Sequence, residues 1–124
     1  MHATGEREIS TLVSMPGGAQ LDHAFLRRVG DTVELSFVGM SSRRALDRVL
    51  GKLPAGFRPS HDQSLVTCDD HFRHVRVDVR GGSGTVAVSQ PKDAEGLADV
   101  STSLVWLTHD EWPKTLPGRE WKSR

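Results

Sequence analysis

The densest group of side chains able to do chemistry is Cys68-Asp69-Asp70-His71-Phe72-Arg73-His74. Cys, Asp and His are all zinc ligands. Asp70, His71 and His74 could also move protons in a small metal-dependent hydrolase. The spacing argues against both readings. Along a strand, His71 and His74 are three apart and point to opposite faces. If Asp69-Asp70 is a turn, both carboxylates face water and bond the nearby backbone. The expectation is a polar hairpin end with no metal or cofactor, and Asp69, Asp70 and His71 are kept as candidate contact residues. Cys68 is the only cysteine, which excludes an internal disulfide and a four-cysteine zinc site. It is expected to be a small buried or half-buried residue.

A second polar run, His109-Asp110-Glu111, has acid and base groups but no nucleophile at a recognisable spacing. The Gly81-Gly82-Ser83-Gly84 stretch lacks the Lys-Ser/Thr and the following helix of a phosphate cradle, so it reads as a hairpin turn. No catalytic constellation emerges, and the expectation is a protein that is not an enzyme. Binding is better represented. Arg43, Arg44 and Arg48, continued by Lys52 and Arg58, form the strongest local charge feature. They suit either an anionic polymer such as a cell-wall glycan or a solvated strand edge. Trp112 and Trp121 lie in a Pro-containing tail and need a groove to dock in, on their own domain or on a neighbour. Trp106 falls on an apolar alternation and should be core.

The elements that must position these residues are mostly strands. Period-two alternation dominates. It predicts strands over Glu8–Ser14, His23–Val29, Thr32–Val38, Ser64–Cys68, Phe72–Arg80, Thr85–Ser89 and Val100–Leu107. Val33, Leu35 and Phe37 share one face, as do Val75, Val77 and Val79. Gly30-Asp31 suits a tight primed hairpin turn. Leu53-Pro54-Ala55-Gly56-Phe57-Arg58-Pro59 should be a rigid crossing, because Pro fixes φ and lacks a donor. Ser41–Leu50 fits a short helix capped by Ser41 or Ser42, or an irregular edge segment. The prediction is an all-β antiparallel sandwich, jelly-roll-like, of about 7–8 strands with room for one short helix near residues 42–50. Residues 1–109 form the expected domain and residues 110–124 an extended tail.

The chain has 124 residues, enough for a single core without disulfides or metals. Its 16 basic and 16 acidic residues cancel, which argues against a general nucleic-acid binder. No apolar run is long enough for a membrane helix. Met1–Ser10 has no apolar stretch of the kind a secretory signal needs, and the lone thiol fits synthesis in a reducing cytoplasm.

Four motifs, in order, resemble one family. Phe25-Leu26-Arg27-Arg28-Val29-Gly30-Asp31-Thr32-Val33-Glu34-Leu35 is similar to the opening hairpin of C-terminal domains in tail-fibre and minor tail proteins of phages infecting actinobacteria. Leu53 to Pro59 resembles their LPxGFRP crossing, Gly84-Thr85-Val86 a later hairpin strand, and Trp112 to Gly118 a closing WPxxLPG tail. The resemblance implies a β-sandwich at the virion surface, made in the host cytoplasm, and often a homotrimer. Its partners would be other virion proteins of tail or capsid, and a host envelope glycan. It supplies no catalytic residue. The short chain beginning with Met fits a separate gene product such as a capsid decoration protein, or an excised fragment. The alternatives are a carbohydrate-binding module outside a phage and the small hydrolase considered first.

Overall fold

A computed structural model describes residues 2–122. Met1 and residues 123–124, the ends of the expected domain and tail, lie outside the described residues. Among the described residues, nine strands form two antiparallel sheets: β1 (Arg7–Glu8), β2 (Ala19–Val29), β3 (Thr32–Ser42), β4 (Asp47–Lys52), β5 (Gln63–Cys68), β6 (His74–Val79), β7 (Thr85–Ser89), β8 (Leu97–Leu107) and β9 (Arg119–Glu120). The five-stranded sheet has the order β8-β3-β2-β1-β9 and the four-stranded sheet the order β4-β7-β6-β5. The expected all-β sandwich is therefore the observed architecture. No helix among the described residues is long and apolar enough to cross a membrane.

The alternation places the core. Val33, Leu35 and Phe37 of β3 face Val75, Val77 and Val79 of β6, and all six are at most 1% exposed. Apolar side chains from both inner faces interdigitate between the sheets, which is the main stabilising term in such a fold. Trp106 joins them as expected, and its indole N–H donates to the Phe57 carbonyl at 2.9 Å. That bond fastens the Leu53–Pro59 crossing under the sandwich, with Phe57 fully buried. The β2–β3 hairpin turns at Gly30-Asp31, where Gly30 supplies the positive φ of a primed turn.

Several expectations change. The segment near residues 42–50 is not helical: a bend leads into β4, which pairs with β7. Leu46 and Leu50 are both buried, and positions four apart share a face in a helix and in a strand alike. Val49 decides between the two. A helix would hold it beside Leu46, whereas here it points outward and is 53% exposed. The first expected strand also stops early. Glu8 accepts hydrogen bonds from the Ser10 N–H and hydroxyl, both 2.7 Å. This local capture of backbone competes with a ladder, and a 3-10 turn follows over Ser10–Leu12. The chain then crosses to the other sheet, where the Ser14 N–H bonds the Leu50 carbonyl.

The tail is not a free extension. It folds back along β1, and β9 pairs with it in the register Arg7↔Glu120 and Glu8↔Arg119. Gly118 makes this approach possible: its φ is +59, and a Cβ there would overlap the Glu8 carbonyl oxygen. Trp121 packs on His23 and Phe25, with centroid distances of 4.8 and 5.2 Å. Trp112 lies 5.3 Å from the His2 ring and 5.0 Å from the Arg28 guanidinium. Both tail tryptophans thus dock on their own chain.

Candidate functional site

One end of the sandwich gathers five of the residues singled out in the sequence. The β5–β6 loop carries Asp69, Asp70 and His71. Beside it lie the loop before β8 and the bend between β3 and β4, which carries Arg43 and Arg44. Two buried side chains tie these segments together. The Gln90 amide receives the Leu46 N–H at 2.8 Å and donates to the carbonyls of His74 (3.2 Å) and Gly96 (3.0 Å). Asp69 holds the other junction.

Asp69 corrects the expectation of a solvated turn carboxylate, since its side chain is fully buried. Its two oxygens accept from the backbone N–H groups of His71 (2.8 Å), Arg73 (2.9 Å) and Ala98 (2.8 Å), and from the Arg73 guanidinium (2.9 Å). Burial by itself would raise the Asp69 pKa. The donors from Ala98, Arg73 and His71 outweigh it and lower the pKa to about 2. A permanent carboxylate therefore fixes the loop to the strand entering from Gly96. Arg73 extends the link through the Glu95 carbonyl.

The anchored loop presents Asp70, His71 and Phe72 to solvent. Phe72 is 83% exposed and has φ +62. It has the one positive φ outside glycine among the described residues. For a bulky residue the left-handed region costs about 1–2 kcal/mol, so a ring that buries nothing is held in a conformation it disfavours. The sequence reading placed Phe72 at the end of an outward loop, Asp69–Phe72, but did not single it out, because it carries no titratable group and its backbone angle has no signature in a single sequence.

Arg43 and Arg44 are exposed at the same end. The Arg43 N–H bonds the Gly18 carbonyl, and Gly96 fits against Ser42 and Arg43 so closely that any Cβ would clash. A shallow cleft of about 380 Å³ opens between Gly18–Gln20, Ser41–Arg43 and Leu97. Arg48 is elsewhere, on β4, where it reaches the Ser14 hydroxyl at 3.4 Å. The Gly81–Gly84 turn lies at the opposite end, because β6 runs from His74, beside Asp69, to Val79, beside Gly81. The loops at Asp69–Phe72 and Gln90–Ala98 are thus stapled together, and the Gly81–Gly84 turn is remote from both.

The second polar run is tied to the Leu53–Pro59 crossing through Asp110. Asp110 accepts from the Gly56 and Arg58 N–H groups and from both arms of the Arg58 guanidinium. Burial raises its pKa, but these donors more than offset it, and the net shift is downward. His74 sits opposite Cys68 in the β5–β6 ladder, both on the outer face. Cys68 is exposed rather than buried, since it shares strand parity with exposed Val66. Among the described residues, no three His, Cys, Asp or Glu side chains converge as metal ligands. What the end offers is an exposed aromatic ring next in sequence to a carboxylate and an imidazole, with two guanidinium groups at the same end of the sandwich. No protein-family model matches the chain, and none of the curated proteins is similar to it.

Proposed function

We propose that this chain is a non-enzymatic surface protein of a bacteriophage virion, either a tail-fibre-type receptor-binding module or a capsid decoration. It acts through protein–protein contacts and contact with the host surface. Phe72 carries the binding part of this reading. An exposed ring in a strained conformation lowers stability, and such residues are held where a surface uses them. The virion part rests on the ordered motifs that resemble tail-fibre domains. The non-enzymatic part rests on the same motifs, which carry no catalytic residue, and on the structural use of two carboxylates. A general acid or base works best with its pKa near the operating pH, whereas Asp69 and Asp110 are shifted away from it.

The reading predicts that stability and binding separate at the tip. Phe72→Gly relieves the positive φ and should raise folding stability by about 0.5–1 kcal/mol. The same change should weaken adsorption to host cells, or binding to particles, by roughly tenfold or more, as expected for an aromatic anchor. His71→Ala and Arg43→Glu should weaken it less. Urea unfolding and quantitative adsorption measure the two effects. Unchanged adsorption and unchanged particle binding in all three variants would remove this end from the function. Quantitative mass spectrometry of purified virions tests the placement: many copies per particle mark a decoration, few mark a tail module, and none ends the virion reading.

A second reading is favoured by the same ring. An exposed aromatic beside Asp70 and His71 also suits stacking on a sugar, as in a carbohydrate-binding module outside a phage. Selective binding on a glycan array together with absence from virions would make that reading the better one.

A further inference from the structure

We infer that β8 is the interface through which two copies of this chain join, edge to edge and antiparallel, into one continuous ten-stranded sheet. The inference stands apart from the virion reading and rests on the sheet edges alone. An open strand edge pairs with another chain unless something blocks it. Three of the four edges in this sandwich differ from β8. β9 is two residues long, charged, and preceded by Pro117 and Gly118. β4 carries Asp47, Arg48 and Lys52, has a register shift between Val49 and Gly51, and gives its Leu50 carbonyl to Ser14. β5 is six residues long and packs beside β8 at the same side of the sandwich. β8 runs for eleven residues without Lys, Arg or Pro.

The register shows which of its backbone groups are free. The Thr108 N–H bonds the Asp31 carbonyl at 2.9 Å, so Thr32↔Leu107 is a pair that exchanges no bonds. Val33↔Trp106 and Leu35↔Leu104 then use their N–H and C=O groups toward β3. Ser103 and Val105 direct theirs away from it, and no partner meets them among the described residues. At the strand's two ends the edge is already occupied. The Ser60 N–H reaches the Leu107 carbonyl at 3.3 Å, and Asp69 takes the Ala98 N–H. The open stretch is therefore short and central. It is flanked on the outer face by Val105, 58% exposed, and Leu107, 63% exposed.

This stretch is complementary to itself. With the twofold axis at Leu104, Ser103 of one copy meets Val105 of the other, and each pair exchanges two backbone hydrogen bonds. Asp99, the one charged residue of β8, lies outside the open stretch, and the two Asp99 carboxylates stay far apart. The association is a dimer, which differs from the trimer that the motif resemblance implies.

Sedimentation equilibrium of the full chain across a wide concentration range tests it. The expected mass is that of two chains. Val105→Lys places a charge at the seam and Ser103→Pro removes its central donor. Each should weaken association by roughly tenfold or more. The circular dichroism of Val105→Lys should be unchanged, since its side chain is 58% exposed on the outer face, opposite Glu34; if Ser103→Pro does not fold, Val105→Lys carries the test. Val49→Lys, on the other sheet, should leave the mass alone. A monomer at the highest concentration, a trimer, or a dimer indifferent to Val105→Lys would each overturn the inference. So would a dimer that Val49→Lys dissociates equally.

Discussion

Replacing Asp69 by alanine is expected to cost about 3–5 kcal/mol of folding stability, the range for removing one member of a buried charged pair. Asp69 has no exposed side-chain surface and receives four hydrogen bonds. Its loss leaves three backbone N–H groups and the Arg73 guanidinium without an acceptor at a loop junction. The pH dependence gives an independent signature. The Asp69 pKa falls from 3.8 to about 2 on folding. A depressed acid stabilises the fold above its unfolded pKa, and that stabilisation is lost as pH falls through the folded value. Here it amounts to about 2 kcal/mol, present at neutral pH and lost between about pH 4 and pH 2. Glu8, Asp78 and Asp110 are shifted in the same direction, so they steepen the acid limb. Urea unfolding of both proteins from pH 7 to pH 2 is the measurement. The variant should be less stable at pH 7 and should lose less on acidification. A variant as acid-sensitive as the parent would show that Asp69 is not the staple.

Arg28→Met should cost about 3 kcal/mol or more and should loosen the C-terminal segment specifically. Arg28 is only 4% exposed. Its guanidinium donates to the carbonyls of Gly30 (2.7 Å), Gly56 (2.7 Å) and Glu111 (3.1 Å), and to Asp31 (3.3 Å). One side chain therefore joins the β2–β3 turn, the Leu53–Pro59 crossing and the start of the tail, with the Trp112 ring beside it. Methionine fills the volume but leaves buried carbonyls without a donor, which is the costly half of losing a hydrogen bond. Arg28→Lys should recover little, because an ammonium cannot span acceptors arranged around a planar fork. Tryptophan emission should shift to the red before the main unfolding transition as Trp112 leaves its contact. A single transition with parental emission would mean that the tail is held without Arg28.

Alternation made much of this fold legible. Burial on a sheet face imposes period two on apolar residues, and Val33-Leu35-Phe37 and Val75-Val77-Val79 obey it. Turn chemistry was legible for the same local reason, since Gly30 and the Gly81–Gly84 run supply backbone angles that few residues tolerate. Where one pattern served two structures, as with Leu46 and Leu50, the sequence left both open, and pairing with β7 chose the strand. Arg28 was visible in part: it shares the inward parity of Ala24 and Leu26, so a charge stood where the alternation places core. Its carbonyl partners come from residues as far as 83 positions away, and no local pattern encodes them.

The candidate site divides along the same line. Residue type marked Asp70, His71, Arg43 and Arg44 as polar groups suited to contact, because charge and hydrogen-bonding capacity belong to each side chain alone. Whether Asp69 meets water or four donors depends on the segment entering from Gly96, and whether Phe72 is buried depends on which way a five-residue turn is held. Those are relations between chain segments distant in sequence. By itself the sequence determined an all-β chain with its inward faces, its turns and its balanced charge, since these follow from local sterics and from the periodicity of burial. Only the tertiary structure decided that Arg43 and Asp70 lie at one end, that Trp112 and Trp121 close back on their own domain, and that the centre of β8 is left open, because each follows from long-range pairing that many local sequences could satisfy.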